Sequence, residues 1–269
     1  MSRYVTRYGI RAVATLYVGL LVGVPVGSVF FRALRPGLDS FWSQITTPPA
    51  VHALVLTLEV GALAVALNTA FGLAAALILA RHRFPGAALV EALIDLPLSI
   101  SPVVAGLALL LCYSSTQGLL GPFLSRHGIE VLFSFPSIVM ACAFVSLPYV
   151  VREVQPVLIE LGTDQEQAAE TLGAGPFAIF WRITLPSIRW ALAYGVLLTT
   201  ARVLGEFGAV AVVSGSILDK TQTLTLYVDS EFTNFNSAGA YAGALLIAVI
   251  SMAVLAALSV SQSRERQVL

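Results

Sequence analysis

The sequence predicts an all-α integral membrane protein with six transmembrane helices and both termini on the cytoplasmic side. Three observations predict it. Of the 269 residues, 57% are hydrophobic and 11% charged, whereas soluble domains carry about 25% charged residues. The apolar residues gather in six stretches, about 12–33, 54–80, 87–113, 131–150, 190–213 and 238–262, and a bilayer crossing takes about 20 residues of helix. Lys and Arg are placed asymmetrically around them. Ten (Arg3, Arg7, Arg11, Arg81, Arg83, Arg152, Arg182, Arg189, Arg264, Arg266) fall on one side and four (Arg32, Arg35, Arg126, Lys220) on the other, which makes the first side cytoplasmic.

The first stretch follows three arginines, as a signal peptide's apolar region does. It is too long for a cleaved segment, and Phe30-Phe31-Arg32 is a poor cleavage site, so it reads as a retained span. Residues 1–52 thus hold a cytoplasmic segment, the first span and an outer loop. Residues 53–262 form one membrane core and 263–269 a tail. The outer loops 34–52 and 214–237 are polar enough to face water. Within the second, residues 223–232 alternate loosely and fit a short strand or an irregular loop.

The fourth stretch runs past the membrane. Val154, Val157, Leu158 and Leu161 continue a helical stripe to Gly162, a helix stop. Thr163-Asp164-Gln165-Glu166 fits a capping box in which Thr163 caps and Glu166 reaches back. The short helix that follows carries Gln167, Ala168, Ala169 and Leu172 and ends at Gly173. A second short helix opens at Pro176 and puts Phe177, Phe180 and Trp181 on one face, and Pro186 ends or kinks it before the fifth span. Small alanines allow close approach and large aromatics anchor. The pattern suits either docking of a partner or packing on the protein's own surface.

Ionisable groups inside spans are costly, about 2.5–3.5 kcal/mol at a helix centre, so each asks for a role. Arg202 and Glu206 are four apart on the fifth span and share a face; they read as a buried ion pair or as part of a path that helps an anion pass. Glu59 and Asn68 lie in the second span. Asp95 is followed by Pro97, Ser99, Ser101 and Pro102, and two prolines in six residues must bend the helix and free carbonyls. This segment reads as path-side or gate, or else Asp95 sits at the cytoplasmic interface. Gly205 and Gly208 fit close packing or a hinge.

Several chemistries are excluded. Net charge is zero, so no global field draws nucleic acid. His52, His82 and His127 lie at or outside span edges, and neither GxSxG nor HExxH occurs, which removes an intramembrane hydrolase. Cys112 and Cys142 sit in apolar runs with no metal spacing and read as free thiols. No Walker A sequence is present, so nucleotide chemistry belongs to another subunit. A proton-coupled secondary transporter using Glu59, Asp95 and Glu206 would often show inverted repeats, and the sequence shows none.

The run Gln167-Ala168-Ala169, three residues, Gly173, nine residues, Ile183, one residue, Leu185-Pro186 resembles the EAA loop of ABC importer permeases. Further segments extend the likeness: Arg83-Phe84-Pro85-Gly86, Ile94-Asp95-Leu96-Pro97, Ser101-Pro102-Val103-Val104-Ala105-Gly106, Val151-Arg152-Glu153-Val154, Phe180-Trp181-Arg182-Ile183-Thr184-Leu185-Pro186 and Gly205-Glu206-Phe207-Gly208-Ala209-Val210. Together they resemble the CysW family of sulfate/thiosulfate importer permeases, from about residue 50 onward. The resemblance implies a type I ABC importer (MetI-like) permease in the bacterial cytoplasmic (inner) membrane. The chain itself would be non-catalytic, with ATP and Mg bound in partner ATPases. Implied partners are a CysT-like second permease, a CysA-like ATPase pair and a periplasmic or lipid-anchored sulfate-binding protein. Homodimeric pairing stays open, as does a molybdate or tungstate cargo.

The resemblance makes loop 162–187 a coupling helix seated on the ATPase, with Glu166, Gln167, Ala168, Ala169, Glu170, Leu172, Gly173, Phe177, Ile183, Leu185 and Pro186 as its site. The family's Glu is Gln167 here; the amide loses the charge, and Glu166 or Glu170 is expected to supply it. Path or gate candidates are Glu59, Asp95, Ser99, Ser101, Pro102, Arg202, Gly205 and Glu206.

Overall fold

A computed structural model describes residue 11 and residues 13–265; the expectations for Arg3, Arg7 and residues 266–269 lie outside them. In chain order the helices are α1 (Val13–Leu34), α2 (Leu38–Ile45), α3 (Pro48–Arg81), α4 (Ala87–Ser99), α5 (Pro102–Tyr113), α6 (Gly121–Arg126), α7 (Phe135–Leu161), α8 (Asp164–Thr171), α9 (Pro176–Leu204), α10 (Gly208–Ser214), α11 (Leu224–Thr233) and α12 (Ser237–Glu265). No strand occurs among the described residues.

Four helices, α1, α3, α7 and α12, are long and apolar enough to cross a membrane singly. Two further crossings are bent pairs. α4 and α5 turn by 114°, and α9 and α10 by 57°. The third span therefore differs from the continuous helix that its apolar run 87–113 suggests. The reason is local: Pro97 withdraws a donor, Ile100 and Ser101 are extended, and Pro102 starts a new helix at its first position. The fifth span also differs. It begins at Pro176, runs through Pro186 without ending, and breaks at residues 205–207. Pro186 is accommodated because Phe180–Thr184 forms a π turn, in which the Leu185 N–H reaches back five residues to the Phe180 carbonyl. The expected second mini-helix is thus the first turn of α9.

Small residues let the spans close on one another, as membrane interfaces require. Val150 on α7 is clamped between two glycines: a Cβ on Gly72 of α3 would lie 2.7 Å from its Cβ, and one on Gly195 of α9 would lie 3.0 Å from its Cα. Asn68, 2% exposed on α3, donates through Nδ2 to the Ala143 carbonyl (2.9 Å) and to Ser146 Oγ (2.8 Å), a polar rivet between α3 and α7. The two bent pairs meet at their second halves, where a Cβ on Gly106 of α5 would stand 2.8 Å from the Ala209 carbonyl oxygen of α10. Ala105, Val139, Val203 and Val210 close the core around this junction.

Residues 223–232, expected as a strand or loop, are instead helix α11. The alternation of Thr and Leu misleads because tertiary contacts overrule it. The Leu224 N–H donates to Thr57 Oγ1 on α3 at 2.8 Å, and Leu224, Leu226 and Tyr227 are buried.

Candidate coupling surface and path residues

α8 lies beyond the bundle end where α3, α7 and α9 finish or begin. Glycines bound it on both sides: Gly162 (φ 64°) ends α7, and Gly173 (φ 86°) ends α8. The stop at Gly173 is a Schellman motif. The Gly173 N–H donates to the Glu170 carbonyl (2.9 Å) and the Ala174 N–H to the Ala169 carbonyl (3.0 Å). No residue of α8 is buried. Leu172 is 88% and Phe177 77% exposed, and the rings of Phe177 and Trp181 pack at a 58° tilt with centroids 6.0 Å apart. Leu172 just after α8 and Phe177 and Trp181 at the start of α9 thus set large apolar groups together at the surface, and exposed patches of this kind mark candidate interaction sites. Ala168 is exposed and Ala169 half-buried beside them; Ile183 and Leu185 are half-buried, and Pro186 is exposed on α9.

The start of α8 differs from the expected capping box. Thr163 makes no side-chain cap bond to the helix N-terminus. Its Oγ1 instead accepts from Gln167 Nε2 at 2.9 Å. Glu166 turns to the bundle: its Oε1 accepts from Arg81 Nη2 (3.0 Å) and from Thr184 Oγ1 (2.8 Å). Arg81 also donates from Nη1 to the Leu158 carbonyl at 2.8 Å. Of the two acids expected to supply the charge that Gln167 lacks, Glu166 or Glu170, Glu166 is thus already paired inside the chain. Gln167 and Glu170 line a groove of about 490 Å³ together with Arg81, His82 and Phe180. Glu170 is exposed and remains available for an outside charge.

The path candidates separate into four places. Asp95 and Arg152 form a two-pronged ion pair between α4 and α7, Nε to Oδ1 at 2.8 Å and Nη2 to Oδ2 at 2.9 Å. Glu91 accepts from Gln155 one turn away, at 2.7 Å. Both bridges line a cavity of about 490 Å³ that also includes Glu160. Ser99 and Ser101 are exposed and Pro102 half-buried at the 114° bend. Glu59 is exposed on α3 among Val55, Leu58 and Leu63. A carboxylate at that depth needs protein or water over it.

At the α9–α10 break, Arg202 Nη1 donates to Glu206 Oε2 at 2.5 Å. Glu206 Oε1 accepts from the Ala209 N–H (2.8 Å), and the Glu206 carbonyl accepts from Thr225 Oγ1 (2.8 Å). One carboxylate thereby neutralises an arginine and satisfies a free donor at the start of α10. That is the geometry of a lock across the break, and it is how a 3% exposed Glu206 is tolerated. The glycines divide the expected roles. A Cβ on Gly208 would lie 3.1 Å from Pro102 and 3.2 Å from Val103, so Gly208 permits close packing, while Gly205 is exposed with only the Ala201 carbonyl oxygen near, at 3.7 Å.

Sequence reasoning missed Arg81, Arg152 and Thr184 as partners of site residues. The pairs Arg81–Glu166 and Asp95–Arg152 span 85 and 57 positions, and no local pattern signals them.

A family model described as "Binding-protein-dependent transport system inner membrane component" matches residues 68–267. The chain belongs to that family. It is a multi-pass membrane protein and a transport subunit, and ATP hydrolysis is the work of a separate subunit. Sulfate transport system permease protein CysW of Synechococcus elongatus is 48% identical over 252 residues, covering 94% of this chain and 88% of that one. The CysW protein of Escherichia coli K12 is 41% identical, covering 92% and 86%, and CysT of the same organism is 39% identical, covering 93% and 90%. A solved bacterial ABC transporter involved in import of the acidic polysaccharide alginate superposes with TM-score 0.79 over 97% of this chain and 98% of that one, at 17% identity. That likeness establishes the MetI-like ABC importer permease fold.

Proposed function

We propose that this chain is a permease subunit of an ATP-driven importer that carries sulfate or thiosulfate across the bacterial inner membrane. The observation that carries this reading is the exposed, glycine-bounded helix α8 with its Ala168-Ala169 face, in a chain 48% identical to a sulfate transport permease. The membrane sidedness is that of the basic residues, with α8 and both termini cytoplasmic. A CysT-like permease completes the path and a CysA-like ATPase pair grips the two coupling helices. A periplasmic or lipid-anchored sulfate-binding protein delivers the anion at the other end. ATP-driven closure of the ATPases moves the coupling helices and switches the path from inward-facing to outward-facing.

Each residue then has a task. Ala168, Ala169, Leu172 and Phe177 supply shape at the ATPase, and Glu170 the charge that Gln167 lacks. The Arg202–Glu206 pair holds the α9–α10 break beside the path without presenting a bare cation, which would trap a dianion. The reading is tested with the full complex in proteoliposomes, following ATP-dependent uptake of labelled sulfate with molybdate as competitor. Uptake that needs the ATPases, and that excess molybdate leaves in place, supports the proposal. Uptake by this chain alone under a proton gradient overturns it.

A further inference from the structure

A coupling helix can transmit a push only if it is fixed to what it must move. α8 is poorly fixed by its own chain. It has eight residues and none of them is buried. Glycines with positive φ stand at both ends. A helix of that length does not hold itself in water, and the positive-φ glycines break the line of the chain where it enters and leaves the bundle.

Among the described hydrogen bonds, those that join an α8 side chain to the bundle both end on one atom, Glu166 Oε1. Arg81 Nη2 reaches it from the end of α3 and Thr184 Oγ1 from the π turn of α9. Arg81 continues the tie through Nη1 to the Leu158 carbonyl in the last turn of α7. The side chains of Arg81 and Glu166 are only 15% and 22% exposed, so water competes weakly for the pair. Arg81 Nε is buried without a partner, which shows how far the guanidinium is drawn in to serve this contact. One carboxylate oxygen therefore gathers α3, α7 and α9 onto α8.

We infer that Arg81 and Glu166 are positioning residues for energy coupling: their ion pair makes α8 move as one body with α3, α7 and α9. The inference rests on the reading of α8 as the ATPase-docking helix. It assigns the acid next to Gln167 to force transmission within the permease, not to the contact with the ATPase. A displacement of α8 then reaches α3, which carries Glu59 and Asn68, and α9, whose far end carries the Arg202–Glu206 lock.

The test uses the assembled complex with Glu166→Gln, which keeps size and the Thr184 contact, with Arg81→Met, and with the double variant. Two readouts are taken. The first is the ratio of sulfate imported to ATP hydrolysed. We expect it to fall about tenfold in each single variant, the shift set by one charge-assisted hydrogen bond, with ATP hydrolysis retained. The double variant is expected to be no worse than the poorer single one, because the two residues act as a unit. A purely structural lesion lowers the yield of complex and leaves this ratio unchanged. The second readout is amide hydrogen exchange of residues 167–172, expected to quicken about tenfold in the single variants while the middle of α3 stays protected. An unchanged ratio together with unchanged exchange overturns the inference. If the wild-type complex imports no sulfate, the proposed function fails, and the exchange measurement still judges the tie.

Discussion

Replacing Gly173 isolates a backbone effect at the proposed docking surface. An added Cβ there meets nothing within 4 Å, so no clash inside the chain contributes, and φ is 86°. A residue with a Cβ costs about 1–2 kcal/mol in the left-handed region, and a β-branched one stands at or above the top of that range. The alternative is to abandon the positive φ and lose the Schellman bonds to the Glu170 and Ala169 carbonyls, each worth about 0.5–1.5 kcal/mol net. Either route puts Gly173→Val at about 2 kcal/mol, a shift of roughly 30-fold in the population of the intact helix end. No buried residue of α8 offsets that loss. Asn tolerates the left-handed region, so the expected order of coupled function is Gly, Asn, Ala, Val. The assay is ATPase co-purification followed by sulfate uptake per ATP in proteoliposomes, with membrane insertion checked separately. Full uptake by Gly173→Val refutes the reasoning. Equal damage from Asn and Val also refutes it, because the effect would then be a collision with the partner.

Three further outcomes follow from packing and charge. Gly106→Val drives a side chain against the Ala209 carbonyl oxygen and Val212, 2.8 and 2.9 Å from the first added atom; overpacking of this kind costs about 1–3 kcal/mol and should lower the thermal midpoint in detergent. Asn68→Leu removes the two bonds between α3 and α7, and since membrane interhelical hydrogen bonds average about 0.6 kcal/mol, melting should show a small loss with uptake largely kept. Arg202→Ala leaves the buried Glu206 carboxylate without its cation, an expected loss of about 3–5 kcal/mol seen as poor assembly and slower sulfate uptake; normal uptake with normal assembly would refute the lock and remove Arg202 from the path.

The legible parts of this protein were those written in neighbouring residues. The stop of α7 at Gly162 and of α8 at Gly173, the helix start at Pro176 and the bend between Pro97 and Pro102 each depend on a backbone property of one or two residues. The Arg202–Glu206 pair was legible for the same reason, being one helical turn long. Thr163–Glu166 was also a local pattern, yet it failed. A capping box competes with any cation that can reach the acid, and Arg81 reaches Glu166 from 85 positions away.

By itself the sequence determined that the chain lives in a membrane, which segments are long and apolar enough to cross it and where the short helix α8 ends. These follow from hydrophobic run length, charge placement and the dihedral limits of Gly and Pro, all properties of short segments. Only the tertiary structure decided what Glu166 binds, that the fifth span starts at Pro176 and breaks after Leu204, and that residues 224–233 are helical. Three distant partners act there: Arg81 for Glu166, Thr225 for the break and Thr57 for α11. A buried polar group takes the nearest partner in space, and nearness in space is set by how the spans pack.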